Sequence, residues 1–166
     1  MPALSQFNGD EIFLDANILI YHLTSHPQFG AACHQLLQNT EVGIVNSYTS
    51  NWVLAEVIHK LMILETCDRF RLQNHEAINY LKKNHHAINR LSKYRKALDL
   101  IYRLSNLTIL EVNDVIFRQS HAYISKYHLL SSDAVHVATG LTNNIRNMAT
   151  NDKDFKRVKD LTIWAP

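Results

Sequence analysis

The sequence predicts an α/β fold: a three-layer α/β/α sandwich around a mostly parallel sheet, with a helical insert in the middle of the chain. Two observations predict it. Short apolar or β-branched runs alternate with longer stretches whose apolar residues recur at helical spacing. And 166 residues, 46% hydrophobic and 19% charged, give room for one sizeable core. With four Gly, three Pro and no repeat or low-complexity segment, the chain is expected to form a single domain over residues 1–166.

Taken in order, Ile12-Phe13-Leu14 is the first strand, and Asn17 to Leu23 begins a helix that Pro27 ends. Ala31 to Gln38 is a second helix. Val42 to Val45, short and apolar, predicts the second strand, with Ser47, Thr49 and Ser50 as candidate N-caps for the next helix. From Asn51 to Leu64 the apolar residues Val53, Leu54, Val57, Ile58, Leu61 and Leu64 keep helical spacing. The pattern continues through Ile78, Leu81, Ile88, Leu91, Leu98 and Ile101, which predicts an antiparallel helix pair. Leu107 to Val112 is a third strand and Val115 to Tyr127 a helix. A further helix runs from Asp133 to Leu141, capped by Ser131 or Ser132. Asn147 to Thr150 and Leu161 to Trp164 complete the strands. Helices between successive strands require parallel pairing with both sheet faces covered.

Charge is unevenly spread. Thr66 to Asn106 holds nine Lys and Arg against three acids, +6, while the remainder of the chain carries −4. Such a block either attracts a polyanion or is a helix surface facing water. The apolar stretch Ile12–Leu23 is broken by Asp15 and Asn17 and is too short to span a bilayer, so no membrane role is expected. Cys33 and Cys67 make neither a metal-ligand spacing nor a disulfide framework, and read as reduced thiols of a cytoplasmic protein.

Four acids stand at special places. In a parallel α/β sheet ligands bind beyond the carboxyl ends of the strands; Asp15 directly follows the first strand, and Asp152 sits just after the strand ending at Thr150. Glu56 borders the buried arc of its helix, beside Val53 and Lys60. Asp133 lies in a first turn, at the edge of the stripe Ala134, Val137, Ala138 and Leu141. Singly, each has an ordinary role as a cap, a dipole partner or a solvated flank. Jointly they predict a carboxylate cluster, which is costly unless a cation neutralises it. An all-oxygen donor set suits Mg²⁺ or Mn²⁺ and not zinc. Such ions support phosphodiester hydrolysis without a protein nucleophile. The ten histidines form no HExxH motif, and His128 and His136 read as surface or core residues.

At these residues the sequence resembles the PIN-domain nucleases and, within them, the VapC-like toxins of bacterial toxin–antitoxin pairs. Phe13-Leu14-Asp15-Ala16-Asn17-Ile18-Leu19-Ile20-Tyr21 looks like the family's opening strand and first acid, and Val53-Leu54-Ala55-Glu56-Val57 like its second motif. Ser132-Asp133-Ala134-Val135-His136-Val137-Ala138-Thr139 is similar to the third, and Thr150-Asn151-Asp152-Lys153-Asp154-Phe155 to the fourth. The resemblance implies metal-dependent endonucleolytic cleavage of RNA. Asp15 and Asp133 would be direct ligands of Mg²⁺ or Mn²⁺, with Glu56 and Asp152 completing the site. Asn17, Thr150 and Asn151 match polar positions that orient the acids, and Asp154 can assist. Ala16 departs from the hydroxyl residue many relatives carry, and the 66–106 segment is long for the smallest family members.

The partners implied are an RNA substrate, a cognate antitoxin and, as a homodimer, a second copy. The basic segment is expected to contact RNA through Lys93, Arg95 and Lys96, with a dimer surface or antitoxin dock as alternatives. Two other functions compete with the toxin reading: a PIN nuclease of RNA maturation or repair without an antitoxin, and a catalytically silent PIN module for binding.

Overall fold

The computed structural model describes residues 1–166. Five strands, β1 (Glu11–Leu14), β2 (Asn46–Ser50), β3 (Leu107–Leu110), β4 (Asn147–Ala149) and β5 (Thr162–Trp164), form one sheet in the order β3-β2-β1-β4-β5. Every pairing is parallel. The α-helices between them are α1 (Ala16–Leu23), α2 (Gly30–Glu41), α3 (Asn51–Phe70), α4 (Asn74–Lys83), α5 (His85–Ile88), α6 (Lys93–Arg103), α7 (Asp114–Tyr127) and α8 (Ser131–Thr142). From β1 the chain steps to β2 and β3, then returns over α7 and α8 to β4 on the other side of β1. Right-handed crossovers therefore put α1–α6 on one face and α7–α8 on the other, as the three-layer expectation requires. Because the connections leave β1 and β4 in opposite directions, a crevice opens between their carboxyl ends.

The centre of the sheet explains the apolar run at its start. Ile12, Phe13 and Leu14 are all at most 1% exposed, since β1 is covered on both faces. Burial of each contributes about 1.5–3 kcal/mol. Val53, Leu54, Val57 and Leu61 of α3 and Ala134 and Val137 of α8 join the same core.

The second strand differs from the prediction. Val42–Val45 does not form it; α2 runs on to Glu41, Gly43 turns the chain at φ +79°, and Val42 and Ile44 stand 69% and 65% exposed. The strand is instead Asn46–Ser50, in which Ser47, Thr49 and Ser50 are buried because their hydroxyls are satisfied. The Ser47 and Thr40 hydroxyls meet at 2.7 Å, Thr49 Oγ1 donates to the Leu14 carbonyl at 3.2 Å, and Ser50 Oγ caps α3 by accepting from Val53 N–H at 3.1 Å. Of the three predicted caps only Ser50 serves as one. Likewise α8 begins at Ser131 after Leu130, so Ser131 and Ser132 lie inside the first turn and do not cap it.

The insert is also rearranged. α3 continues to Phe70, and Arg71 in the left-handed region (φ 54°) ends it. The remainder folds as α4, α5 and α6 instead of two helices, with α4 and α6 both packed on α3. A buried acid fastens them. Glu65, 2% exposed, accepts from the backbone N–H groups of Ser92 and Lys93 at 2.9 and 2.8 Å and pairs with Arg69 at 2.7 Å. Its carboxylate thereby caps the start of α6, where the helix dipole favours negative charge. No helix is long and apolar enough to cross a membrane.

Glu65→Ala leaves these donors unpaired, and the expected cost is about 3 kcal/mol, a fall of about 6–12 °C in Tm. Calorimetry measures the loss, and trypsin should cut between Arg71 and Arg90 sooner than in wild type. An unchanged Tm and cleavage pattern would show that α6 is held by apolar packing alone.

Candidate active site

Asp15 follows β1 directly, caps α1 and is only 6% exposed. Burial would be costly without donors, and it has them. One carboxylate oxygen accepts from Ala16 N–H at 2.6 Å; the other accepts from the Thr150 hydroxyl at 2.6 Å and from the Asn17 amide. Asn17 also donates to Thr150 Oγ1 at 3.0 Å and accepts from Asn151 N–H at 3.1 Å. Thr150 Oγ1 in turn accepts from Asp152 N–H at 3.0 Å. The ends of β1 and β4 are thus laced together by Asn17, Thr150 and Asn151, and Asp152 leaves the lacing exposed on the crevice side. Asp154 donates its backbone N–H to Asp152 at 2.8 Å but pairs its own carboxylate with Arg157 and does not line the crevice.

Helices from both faces bring the other acids. Asp15, Glu56, Asp133 and Asp152 all line one cleft of about 660 Å³, with Asn17 beside them. Glu56 is gripped by α8: the Ser132 hydroxyl donates to one oxygen, and His136 Nε2 lies 3.3 Å from the other and 4.0 Å from Asp15. Ligand atoms of Asp15, Glu56 and His136 lie within 4.8 Å of one another. Asp133 and Asp152 lie outside that tight group, on the same cleft.

His136 is the buried residue that the sequence reading allows, but that reading does not foresee its neighbours. It is 1% exposed, as a core histidine would be, but it sits between two acids with Nδ1 unpartnered. Its one available signal is position, one helical turn after Asp133. Ser132 and Trp52, whose indole N–H donates to Ser132 Oγ at 2.9 Å, gave no sequence signal as site residues.

The electrostatics follow from crowding. Burial pushes the Asp15 carboxyl up, only partly opposed by His136 and Thr150. Burial and the charges of Asp152, Asp15 and Asp154 raise Asp133 to about 6, against the pull of His136. For Glu56 burial also pushes upward, but the bonds from His136 and Ser132 prevail and hold it below the usual range. For His136 burial favours the neutral ring, yet Glu56, Asp15 and Asp133 prevail and raise it. Asp15 and Asp133 are therefore acids whose negative charge the protein does not fully compensate. That donor set fits a hard divalent cation.

The basic residues separate. Lys93 and Lys96 line a second cleft of about 720 Å³ that shares Ile20 and Lys60 with the first. Arg95 does not line it; its guanidinium lies 5.5 Å from the Tyr94 ring centroid. Lys93 is bridged to Asp68 at 2.6 Å.

A family model described as PIN domain matches residues 12–161. The chain is 30% identical to Ribonuclease VapC2 of Methanocaldococcus jannaschii over 156 residues, 93% of each chain. A shorter match, 33% over 69 residues, is to Ribonuclease VapC6 of the same organism, covering 42% of this chain and 45% of that one. Among solved structures it superposes on Mycobacterium tuberculosis VapC20, a sarcin-ricin loop cleaving toxin. That match has TM-score 0.60 and 18% identity over 89% of this chain and 95% of that one. VapBC2 of Rickettsia felis, bound to a promoter DNA fragment, matches with TM-score 0.56 and 18% identity over 93% and 98%.

The charge crowding predicts a pH-dependent stability for the metal-free protein. Asp133 is raised from 3.8 to about 6 on folding, so its favourable contribution is present below 3.8 and is lost as pH rises through about 6. Asp133→Asn should therefore be more stable than wild type at pH 8 in chelator, by about 1 kcal/mol once solvent screening of this half-buried group is allowed for. That is about 2–4 °C in Tm. At pH 4 the two should melt together. A gain of equal size at both pH values would count against charge crowding as its cause.

Proposed function

The chain belongs to the PIN-domain family, and from that premise we propose that it is a divalent-metal-dependent endoribonuclease, the toxin of a toxin–antitoxin pair. The observation that carries the reading is the meeting of Asp15, Glu56, Asp133 and Asp152 on one cleft at the topological switch point of the sheet. The names of the relatives support the substrate and the partner: ribonucleases for the sequence matches, toxins and toxin–antitoxin complexes for the structural ones.

Asp15 and Asp133 hold the ion, Mg²⁺ or Mn²⁺, and Glu56 and Asp152 complete the site. When bound, it supplies positive charge to the phosphate and a water acidic enough to ionise near neutral pH. The chain's own groups do the positioning. Asn17 and Thr150 hold one oxygen of Asp15 and Ala16 N–H the other, so one carboxylate orientation is kept before any ligand arrives. Ser132 and His136 each hold one oxygen of Glu56, which keeps it ionised and aimed across the cleft. Asn151 anchors the lacing to the Tyr21 hydroxyl at 3.2 Å. Lys93 and Lys96 face the neighbouring groove and attract the RNA backbone there, a contact that positions a strand without reading its sequence. Arg95, included in the expected set, is left out of that contact because its side chain lies against Tyr94. We further propose a homodimer acting in the cytoplasm, over the single domain of residues 1–166.

Purified protein should cleave a mixed RNA pool with Mg²⁺ or Mn²⁺ and stop on chelation. Asp15→Asn should lower the rate by at least about 100-fold, the size of a catalytic electrostatic contact, with an unchanged circular dichroism spectrum. Undiminished metal-dependent cleavage by the variant would remove this site from the reaction.

Replacing Lys93 and Lys96 by Gln should weaken RNA binding and reduce the slope of log affinity against log salt by about 1.4, roughly 0.7 per lost phosphate contact on a single strand. Arg95→Gln should leave both close to wild type. Equal losses from Arg95→Gln would mean that bulk charge, not the groove, attracts the RNA.

A further inference from the structure

One wall of the acidic cleft is a single stripe of α3. Trp52, Glu56 and Lys60 recur every fourth residue on one helix face, and all three line the cleft, about 6 Å apart along the axis. An aromatic ring, a carboxylate and a cation therefore stand in a row, and only the carboxylate has an assigned use. Trp52 is 39% exposed on a helix that buries Val53, Leu54, Val57 and Leu61. It is nonetheless held. Its indole N–H donates to Ser132 Oγ at 2.9 Å, and that hydroxyl donates onward to Glu56. Phe117 of α7, itself 42% exposed, tilts against it at 43° with centroids 6.0 Å apart, and His121 meets Phe117 edge-on at 5.6 Å.

We propose that Trp52, backed by Phe117, is a nucleobase subsite at the rim of the acidic cleft. It stacks on the base of the nucleotide adjoining the phosphate held at the four acids. The proposal rests on the ribonuclease reading. A rigid aromatic face beside a phosphate-binding site is the element by which proteins hold single-stranded nucleic acid without reading sequence. The indole N–H is already spent on Ser132, so Trp52 offers a face and no donor to the base edge. The subsite therefore favours purines over pyrimidines by stacking area and does not select among bases by hydrogen bonding. The Trp52–Ser132–Glu56 chain also ties the seated base to the position of one of the acids. Lys60, one turn beyond Glu56 on the same stripe, lies where the backbone would pass toward the groove of Lys93 and Lys96.

The probes are a decamer of riboadenylate, a decamer of ribouridylate and an abasic ribose-phosphate decamer. Binding is measured in an Asp133→Asn background that stops cleavage. Trp52 emission, read as the difference from Trp52→Phe, which retains only Trp164, should be quenched by the riboadenylate, less by the ribouridylate and hardly by the abasic strand. Trp52→Ala should weaken riboadenylate binding by about 5- to 100-fold, the value of one stacked base, and leave abasic binding unchanged. Trp52→Phe should recover most of the affinity. In proteins retaining Asp133, Trp52→Ala should raise KM for RNA more than it lowers kcat.

Equal quenching by all three strands, or riboadenylate affinity unchanged in Trp52→Ala, overturns the subsite while leaving the nuclease reading intact if wild type still cleaves. Failure of wild type to bind or cleave any RNA overturns both. Trp52 emission that depends on protein concentration without RNA, together with a lighter sedimenting species for Trp52→Ala, overturns the subsite in favour of an interface between copies.

Discussion

The seat of Asp15 organises the carboxyl edge of the sheet. A carboxylate 6% exposed survives there because three donors converge on it, from Ala16, Asn17 and Thr150. Two come from the first turn of α1 and the third from the end of β4. The bonds that satisfy the charge are therefore also the bonds that tie the two central strands together where the chain changes direction. Asn17 and Asn151 close the same loop from the other side. Without that lacing the switch-point crevice would have no fixed width, and Asp152, which follows Thr150 by two residues, would have no fixed height above it.

Two buried or half-buried acids in this molecule have opposite fates, and the difference lies in what surrounds them. Glu65 meets backbone N–H groups and Arg69, so its charge is answered on every side and it acts as a clamp for α6. Asp133 meets Asp15, Asp152 and Asp154, with His136 alone opposing them, and its carboxyl rises to about 6. The helix N-terminus that should favour Asp133 does not outweigh this crowding. Residual unfavourable charge at a cleft, beside a core that is otherwise well satisfied, is a mark of a functional site.

The insert gains its relation to the cleft through the same α3 helix. Near its start α3 carries Trp52 and Glu56 into the cleft; near its end it carries Glu65 to the start of α6. Clamping α6 in that orientation points Lys93 and Lys96 into the groove that adjoins the acids at Lys60 and Ile20, and turns Arg95 onto Tyr94. A twenty-residue helix is long enough, at about 30 Å, to couple a carboxylate centre to a separate basic surface without any hinge.

Periodicity alone determined much of this protein. The run Ile12-Phe13-Leu14, the helical stripes of α3 and α8, and acids placed just after strands were enough to predict a parallel sheet and the four carboxylates facing one crevice. These are local patterns, and burial on both faces of a strand or along one stripe of a helix writes them directly into residue order. Tertiary structure decided the rest. β2 is built from Asn46 to Ser50 because the hydroxyls of Ser47 and Thr49 find Thr40 and the Leu14 carbonyl, partners seven and thirty-five residues away. The apolar run Val42–Val45 lost the strand to the end of α2 and a turn at Gly43. His136 could not be told from a core histidine, because its meaning comes from Glu56, eighty residues earlier on a helix of the opposite face. Which lysines reach the groove was likewise set by Glu65 capping α6. Amphipathic period reports which side of an element is buried, but which polar partner waits there depends on contacts that only the closed fold brings together.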